Sequence, residues 1–414
     1  MKKLIVATDH QFWFEDRGDR QRIAKLLKYL ITLPLETVVF YLGNLREEEQ
    51  RLYHKSFGEA EIYFVKEKQL YSLKNEEIVD HKLFIKDVKL PKREIKNNLI
   101  NRLLKKPRVR ELSEYERPTF IAPFEWLVNH LKPEFIMIQY IRLDYLMSEQ
   151  LMQSKVIKII DLHDLMYKRY LSFRKHGSQH WVKISKKAEF DLISKYDFII
   201  AIQDKEKAEL NKSLPKKNIL TIKHACTLNA SPKKHRKKNL VIGYLATPGE
   251  ANIKAIKWFV SRVWPSLKRT HPNVTLAIAG SICEKLTFNE ERIVIKGQVN
   301  KLQDFYFNSD IIINPVFMGG GLKIKNVEAL CHGKPLVTSS IGAEGIENGI
   351  GKAFLVANKK REMVNHISKL LTENSTRIKL SDSAEEFALA TFNEDVVYSP
   401  LDQIFNLYSP RDHG

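Results

Sequence analysis

Cysteine is scarce in this 414-residue sequence. Cys226, Cys283 and Cys331 are scattered and share no paired spacing. This distribution argues against a disulfide framework and against a zinc site, and it is typical of reduced thiols in a cytosolic protein. We therefore expect the three cysteines to be structural.

Long hydrophobic runs are absent as well. No segment of the sequence approaches the roughly 18 uninterrupted apolar residues that a membrane-spanning helix needs. The N-terminal stretch MKKLIVATDHQFWFED meets acidic residues before the apolar core of a signal peptide would be complete. It predicts a first strand. We expect a cytoplasmic protein whose contact with a membrane, at the inner face, is peripheral.

Acidic residues are outnumbered by basic ones. The chain has 68 Lys and Arg against 49 Asp and Glu, which gives a formal net charge of +19 at pH 7. This excess favours an anionic partner, which includes nucleotide phosphates, an anionic membrane surface, an acidic glycan and nucleic acid. The length and the hydrophobic content of 43% predict a globular protein with two domains.

Much of the positive charge lies in a basic region at residues 66–117, which also contains apolar residues at helical spacing. These are Ile95, Leu99, Ile100, Leu103 and Leu104. Such a pattern is typical of an amphipathic helix at an anionic membrane. An ordinary surface helix packed on its own domain is the commoner source of the same pattern. Aromatic residues are sparse in the basic run, so nucleic acid is the less favoured partner.

Strand-like and helix-like segments alternate along the first half of the chain, and this predicts a parallel sheet covered by helices. The predicted strands are residues 4–8, 37–42, 135–139, 156–160 and 197–202. The predicted helices are about 19–30, a stretch after residue 46, 120–131, 181–195 and 205–210. After the polar, basic stretch SPKKHRKK the alternation resumes, and it predicts a second sheet.

One segment of the second half has a distinctive turn. An apolar run at residues 311–313, stopped by Pro315 and three glycines, predicts a buried strand that ends in a tight turn. The glycines are Gly319, Gly320 and Gly321. A helix follows, and then a second buried strand at 336–338 runs into another glycine turn at Gly342.

This turn has the composition of a phosphate site. Glycines let the backbone approach a bulky anion, and the N-terminus of the next helix offers N–H groups. Lys323 and Lys325 fall in the predicted first turn, where the helix dipole makes lysine unfavourable unless an anion is near. Glu328, further along the helix, can accept hydrogen bonds from two sugar hydroxyls. The alternative is a helix-capping glycine turn with two solvated lysines.

The stretch NPVFMGGGLKIKNVEALCHGKPLVTSSIGAEG resembles the donor-binding segment of the family-4 (group 1) retaining glycosyltransferases, which have the GT-B fold. The resemblance implies that the glycine loop covers the phosphates of a nucleotide-sugar donor, with Gly342 also on the donor side. It implies that Glu328 binds the ribose. Many members carry a second glutamate, facing the transferred sugar, at the position of Gly320. The resemblance therefore leaves the donor sugar unassigned.

A histidine follows the predicted strand 156–160 in the sequence IDLHDLMYKRY. The carboxyl ends of strands are where open α/β sheets bind their ligands. His163 with Asp161 and Asp164 is too sparse a set for a metal site, so no metal is predicted. The resemblance implies that His163 approaches the sugar and the diphosphate. The alternative is a loop histidine that is hydrogen-bonded to its neighbours.

Two further donor-binding candidates match the family pattern less well. Gly18 lies in the turn between the first strand and the first helix, which carries glycine in the family. Lys254 lies near the first helix of the second domain, where the family commonly places an arginine and a lysine. Asn252 falls at the position of that lysine. Stabilisation of the leaving group is therefore expected to depend more on Lys323 and Lys325.

The resemblance implies two Rossmann-like α/β domains that face each other across a cleft. We predict an N-terminal, acceptor-side domain at residues 1–230 and a linker at 231–238. A nucleotide-sugar-binding domain is predicted at 239–390, and a tail at 391–414 is predicted to return to the N-terminal domain.

The expected activity is transfer of a sugar, with retention of configuration, from a nucleotide-sugar to a hydroxyl of a glycan or glycolipid acceptor in bacterial surface polysaccharide synthesis. No cofactor is expected, because lysines, loop amides and a helix N-terminus suit a departing diphosphate and the chain has no Asp-x-Asp motif. Two alternatives remain. One is a GT-B-type nucleotide-sugar epimerase. The other is a non-catalytic basic protein that binds nucleic acid or membrane, which departures from the family at Gly320, Gln203 and His224 favour.

Overall fold

The computed structural model describes residues 1–85, 110–229, 239–299 and 301–405. The chain forms two compact α/β units and divides between Thr221 and Ile222. The predicted linker at 231–238 and the apolar residues of the predicted amphipathic helix, at 95–104, lie outside the described residues. Within the described part, no helix is both long and apolar enough to cross a membrane.

The first unit is built on a large sheet. Its described strands are β1 (Lys2–Thr8), β2 (Leu35–Tyr41), β3 (Glu61–Lys66), β4 (Gln69–Lys74), β5 (Glu77–Phe84), β6 (Arg110–Glu111), β7 (Phe135–Gln139), β8 (Ile157–Asp161), β9 (Val182–Lys183), β10 (Phe198–Ala201) and β11 (Asn218–Thr221). The main sheet has the order β11-β10-β8-β7-β1-β2-β3-β4-β5, and β6 pairs with β9. Strands β1, β7 and β8 are almost fully buried because helices cover both faces, as expected for parallel strands.

Seven described α-helices accompany this sheet. They are α1 (Gly18–Thr32), α2 (Glu47–Phe57), α3 (Ile121–Leu131), α4 (Glu149–Gln153), α5 (Met166–Lys175), α6 (Lys186–Ile193) and α7 (Asp204–Ser213). The predicted helix at 181–195 was wrong at its start, because β9 comes first. Ser185 then begins the helix, since its side chain accepts a hydrogen bond from the Ala188 N–H at 3.1 Å.

The sheet also has an antiparallel edge that the sequence analysis assigned to the basic region at 66–117. Strands β3, β4 and β5 pair antiparallel in succession. The turn between β3 and β4 places Glu67 and Lys68 at φ values of 48° and 63°, and the next turn places Asn75 and Glu76 at 48° and 68°. Two-residue turns with both φ values positive suit hairpins, but Asn-Gly and Asp-Gly are their usual sequences. These two turns therefore lack the sequence signal by which a hairpin is usually predicted.

The second unit has a smaller, fully parallel sheet. Its described strands are β12 (Val241–Leu245), β13 (Thr275–Ala279), β14 (Ile293–Gly297), β15 (Ile311–Asn314), β16 (Leu336–Thr338) and β17 (Leu355–Val356). Their order is β14-β13-β12-β15-β16-β17. The described α-helices are α8 (Glu250–Trp258), α9 (Trp264–Thr270), α10 (Leu302–Asn308), α11 (Ile324–Cys331), α12 (Lys360–Thr372), α13 (Asn374–Phe392), α14 (Glu394–Tyr398) and α15 (Asp402–Phe405).

Residues 222–229 belong to this second unit, although the sequence analysis placed its start after residue 230. The Cys226 N–H donates to the Phe392 carbonyl at 2.8 Å, and the Asn229 N–H donates to the Cys331 carbonyl at 3.0 Å. These bonds fix the segment to α11 and α13. The expected return of the C-terminal tail to the N-terminal domain stays a prediction.

Candidate functional site

The strand order of the second unit marks a place for a ligand. From the central strand β12 the chain moves first to β13 and β14 on one side, and later to β15, β16 and β17 on the other. The direction in which the chain adds strands to this parallel sheet therefore reverses between β12 and β15. Open α/β sheets bind ligands outside the carboxyl ends of their strands at such a switch point. The predicted glycine loop follows β15 at this edge.

The glycines of this loop are required by its backbone. Gly319 has a φ of 132° and Gly321 a φ of 67°, a region that side-chain-bearing residues rarely adopt. Helix α11, the predicted helix after the glycines, begins at Ile324. The loop therefore extends through Lys323, and Gly320 lies at its centre.

Lys323 ties the glycine loop to the loop that follows β16. Its Nζ donates to the Gly320 carbonyl at 3.2 Å and to the Gly321 carbonyl at 2.7 Å. The same Nζ lies 3.1 Å from an oxygen of the Glu344 carboxylate. Lys323 is the residue before α11, so the prediction that it lies in the first turn was one residue off. These contacts show that Lys323 stabilises the two loops, and its catalytic role stays a prediction.

Lys325 lies in the first turn of α11, as predicted, and it reaches toward β12. Its Nζ donates to the Asn252 Oδ1 at 2.7 Å and lies 5.1 Å from the centre of the Tyr244 ring. Burial, with the nearby charge of Lys323, lowers the pKa of Lys325 to about 7. Asn252 is held in turn, because its Nδ2 donates to the Thr247 carbonyl at 3.0 Å. The amine of Lys325 thus contacts the residue that stands where the resemblance expects a lysine.

Lys254, the other predicted cation near this edge, pairs instead with Glu250 along α8. The two side chains are 2.9 Å apart, one helical turn away from each other, and each is about 40% exposed (39% and 41%). An exposed pair of this kind contributes little to stability. Its predicted donor-binding role stays a prediction.

Glu328 is buried in α11 and is held by an aromatic pair. Its Oε2 accepts a hydrogen bond from the Tyr306 hydroxyl at 3.1 Å. The Tyr306 ring stacks on His332 with the ring centres 4.4 Å apart, and Nδ1 of that histidine lies 2.8 Å from the Glu328 carbonyl oxygen. Burial, with the neighbouring Glu328 charge, raises the pKa of Tyr306 well above its ordinary value. Tyr306 therefore remains a neutral hydrogen-bond donor.

Gly342 packs against the core of the donor segment. A Cβ at this position would lie 1.9 Å from the Thr338 Oγ1. The Gly342 carbonyl accepts a hydrogen bond from the Asn326 Nδ2 at 2.8 Å, and the Asn326 Oδ1 accepts one from Asn314 at 2.9 Å. These buried amides connect β15, α11 and the loop after β16. The packing explains the glycine, and its predicted place in the donor site stays a prediction.

His163 lies at the corresponding edge of the first unit, directly after β8. It has a φ of 58°, and its Nε2 lies 2.7 Å from the Gln139 Oε1. Its ring stacks on Tyr140, with the centres 3.9 Å apart. Burial, with the charge of Arg22 next, lowers the pKa of His163 well below its ordinary value. The imidazole is therefore neutral, and in this orientation of the Gln139 amide its Nε2 donates the hydrogen bond.

The carboxylates beside His163 are neutralised by arginines. Asp161 forms a buried ion pair with Arg22 at 2.7 Å, and Asp164 pairs with Arg169 at 2.7 Å. Within the described residues, no three metal-ligating side chains are grouped so that they could hold an ion.

The sequence analysis missed a charged cluster that follows β1. His10 bridges two carboxylates, with Nδ1 2.9 Å from Asp9 and Nε2 3.1 Å from Asp19. Arg142, from the segment after β7, also donates to Asp9. Burial raises the pKa of Asp9, but hydrogen bonds from His10 and Arg142 outweigh it and hold that pKa well below its ordinary value. Gly18, the first residue of α1, precedes Asp19, and its donor-binding role stays a prediction.

Comparison with known families concerns mainly the second unit. Residues 238–373 match the family described as glycosyl transferases group 1. An uncharacterized 44.6 kDa protein in the cps region of Klebsiella pneumoniae is 26% identical over 178 residues, which are 40% of this chain and 45% of that protein. An uncharacterized glycosyltransferase of Methanocaldococcus jannaschii is 34% identical over 87 residues, which are 20% and 22% of the two chains. The matches span less than half the length of these relatives.

Solved structures resemble almost the whole chain. Sucrose-phosphate synthase from Thermosynechococcus elongatus aligns with a TM-score of 0.70 and 13% identity over 98% of both chains. Anabaena HepE in complex with UDP and glucose aligns with a TM-score of 0.64 and 11% identity, over 99% of this chain and 100% of that one. The pneumococcal O-GlcNAc transferase GtfA in complex with UDP and GlcNAc aligns with a TM-score of 0.68 and 12% identity, over 97% of this chain and 98% of that one. At such identities these likenesses show the fold alone.

Together the comparisons confirm the predicted fold class, two Rossmann-like α/β domains of the GT-B type. They also confirm the predicted resemblance to group 1 glycosyltransferases.

Proposed function

From the group 1 glycosyltransferase match of residues 238–373, we propose that this chain is a retaining glycosyltransferase. It moves a sugar from a nucleotide-sugar donor to a hydroxyl of a glycan or glycolipid acceptor. The position of Lys325 carries this proposal. Its amine joins the segment after β15 to the segment after β12, at the switch point of the second sheet, by donating to Asn252. A buried lysine at a helix N-terminus is poorly stabilised until an anion arrives.

The physical demand of the reaction is to stabilise the negative charge that grows on the departing diphosphate. In the proposal Lys325 supplies a positive charge, and the loop at residues 319–321 lets backbone N–H groups approach the phosphates. Glu328 accepts hydrogen bonds from the ribose hydroxyls, with its carboxylate oriented by Tyr306. His163 offers a neutral imidazole to the sugar, in the role that the resemblance assigns to it. No metal or cofactor is part of the proposal.

The donor and the pathway are proposed from the relatives. HepE and GtfA were both crystallised with UDP, which favours a uridine diphosphate sugar here. The Klebsiella relative comes from a cps region, which favours bacterial surface polysaccharide synthesis. A cytoplasmic location at the inner face of the membrane suits a glycolipid acceptor and a chain with a formal net charge of +19.

A thermal-shift screen tests the donor site. The purified chain is melted with UDP, GDP, ADP, CMP and their sugars, and we expect one nucleotide class to raise the melting temperature, because a ligand that binds only the folded state stabilises it. The ligands that bind are then incubated with candidate acceptors, and the anomeric configuration of the product is read by NMR. Isomerisation of the sugar nucleotide without an acceptor would indicate an epimerase. Salt-sensitive DNA binding with no response to any nucleotide would contradict the proposal.

A further inference from the structure

Glu344 brings a carboxylate to the glycine loop from a different part of the chain. It lies in the loop after β16, and β16 pairs with β15 in parallel register, with Thr338 beside Asn314. The two loops therefore leave the same edge of the sheet. The Glu344 Oε2 lies 3.1 Å from the Lys323 Nζ, and the two side chains are 29% and 13% exposed. This pair lies where the proposed function places the donor.

The hydrogen-bonding capacity of the Lys323 ammonium group is used within the protein. An ammonium group has three hydrogens, and among the described residues the acceptors of the Lys323 Nζ include two loop carbonyls and Glu344. The partly buried Glu344 charge also neutralises the ammonium group. Lys323 therefore contributes little net charge to a phosphate, and its contacts instead hold the loop and the carboxylate in fixed positions.

The other oxygen of this carboxylate has no hydrogen-bond partner in the part of the chain that the structure describes. Among the described residues, Glu344 has one hydrogen-bonding contact, through its Oε2 to Lys323. An ionised carboxylate accepts hydrogen bonds on both oxygens. A phosphate would be repelled by it, whereas a hydroxyl donates to it with a strong, charge-assisted bond. The ligand group that suits this position is therefore the sugar of the donor rather than its diphosphate.

We propose that Glu344 is a specificity-determining residue that accepts hydrogen bonds from hydroxyl groups of the transferred sugar, and that Lys323 positions it. This inference rests on the proposed function. The neighbouring loop thus brings a carboxylate to a glycine loop that has none of its own, and Lys323 connects the two, because its Nζ also donates to the Gly320 carbonyl.

Calorimetric titration of UDP, GDP, ADP, UDP-glucose, UDP-N-acetylglucosamine, GDP-mannose and ADP-glucose tests the inference. The quantity of interest is the Kd of a sugar nucleotide divided by the Kd of its own nucleoside diphosphate. In Glu344→Gln we expect this ratio to rise about tenfold or more over the wild type, because a charged acceptor for hydroxyls is lost. The affinity for the diphosphate itself should stay unchanged or increase, since the positive charge of Lys323 is no longer offset by the carboxylate. Lys323→Met should raise the same ratio.

Glu290→Gln is the matched control. Glu290 pairs with Lys268 at 2.5 Å, and its side chain is 27% exposed, close to the 29% of Glu344. We expect this variant to leave the ratio unchanged, and thermal melts establish that all variants are folded. An unchanged ratio in Glu344→Gln, or parallel losses for both ligands, would overturn the inference and leave the proposed function standing. Failure of the wild type to bind any probe would instead overturn the proposed function, and the inference with it.

Discussion

At the scale of single residues, Lys325 has a charge that its surroundings disfavour. Its pKa of about 7 means that the amine loses its proton as the pH rises through neutrality in the unbound protein. A bound diphosphate favours the protonated amine, so binding near pH 8 requires uptake of a proton. Sugar-nucleotide binding should therefore weaken about tenfold between pH 6 and pH 8.

Titration at several pH values with the sugar nucleotide that binds best in the thermal-shift screen measures this effect. Lys325→Met should bind more weakly at pH 6 and show a flat profile, because the titrating group is gone. Lys369→Met, which removes an exposed lysine paired with Glu373 on α12, should keep the wild-type profile. A wild-type affinity that does not change with pH would contradict the role of Lys325.

Tyr306 gives a second prediction at this scale. Tyr306→Phe removes the hydroxyl that donates to the buried Glu328 carboxylate, and this should lower the free energy of unfolding by about 1–3 kcal/mol. It should also weaken nucleotide binding several-fold, because the carboxylate loses its orientation. Tyr53→Phe is the control, since the Tyr53 hydroxyl donates a buried hydrogen bond to the Ala60 carbonyl, in the first unit. The Tyr306 hydroxyl also lies 3.3 Å from the Lys325 carbonyl oxygen. The control should lose similar stability and keep its nucleotide affinity. Equal nucleotide affinities in both variants would show that Tyr306 is only structural.

Three of the candidate site residues named from the sequence lie together in one segment. Gly319, Lys325 and Glu328 fall within ten residues, so a single strand-loop-helix pattern placed all three. Tyr306 and Glu344 come from α10 and from the loop after β16, and their contacts depend on how the elements pack. Nothing in the local pattern of the single sequence marks either residue, because spacing along a chain does not give distances between segments.

At the scale of elements, a buried polar network fixes α11 against the sheet. The Asn326 Nδ2 donates to the Gly342 carbonyl at 2.8 Å and to the Thr338 Oγ1 at 3.2 Å, so one side chain holds both a strand and the loop after it. A change that breaks one bond of such a network leaves a buried polar group unpaired, which destabilises the fold. The geometry of the loop is therefore sensitive to small changes. Gly342 is the position where that sensitivity should be greatest.

Gly342→Ala should therefore be strongly destabilising. Its Cβ would lie 1.9 Å from the Thr338 Oγ1 and 3.2 Å from the Asn314 carbonyl oxygen, so the loop has to move. We expect a loss of about 1–3 kcal/mol in the free energy of unfolding, measured with urea. Gly249→Ala is the control, because the atom nearest to its Cβ is 3.8 Å away and its φ is −66°. A Gly342→Ala variant as stable as this control would contradict the packing argument.

Elements with a strong apolar pattern were predicted well, and those defined by pairing were not. The buried runs that became β7, β15 and β16 were placed to within a residue or two. Strand β4 has three buried residues, and the described side chains of β5 are exposed or half-buried, with charged residues among them, so this stretch was interpreted by its charge instead. Strand β9 is only two residues long and forms through its pairing with β6. Neighbours in space determine such elements, and the sequence does not show them.

At the scale of the whole molecule, each unit has a hydrophobic core of its own. In the described residues, one core is built on the first sheet and includes Leu127, and another is built on the second sheet and includes Leu276. Both leucines are fully buried. The glycine loop, Lys325 and Glu328 all lie in the second unit. Stabilisation by a nucleotide should therefore appear first in the unfolding of that unit.

Scanning calorimetry tests this division. Multidomain chains commonly depart from two-state unfolding, and we expect two transitions here. The nucleotide that binds in the thermal-shift screen should raise the midpoint of one of them. Leu276→Ala should lower that same midpoint, because truncation of a buried leucine costs about 2–5 kcal/mol, and Leu127→Ala should lower the other midpoint for the same reason. If both variants shift a single transition by similar amounts, the two units unfold together and the donor site is not stabilised independently of the first unit.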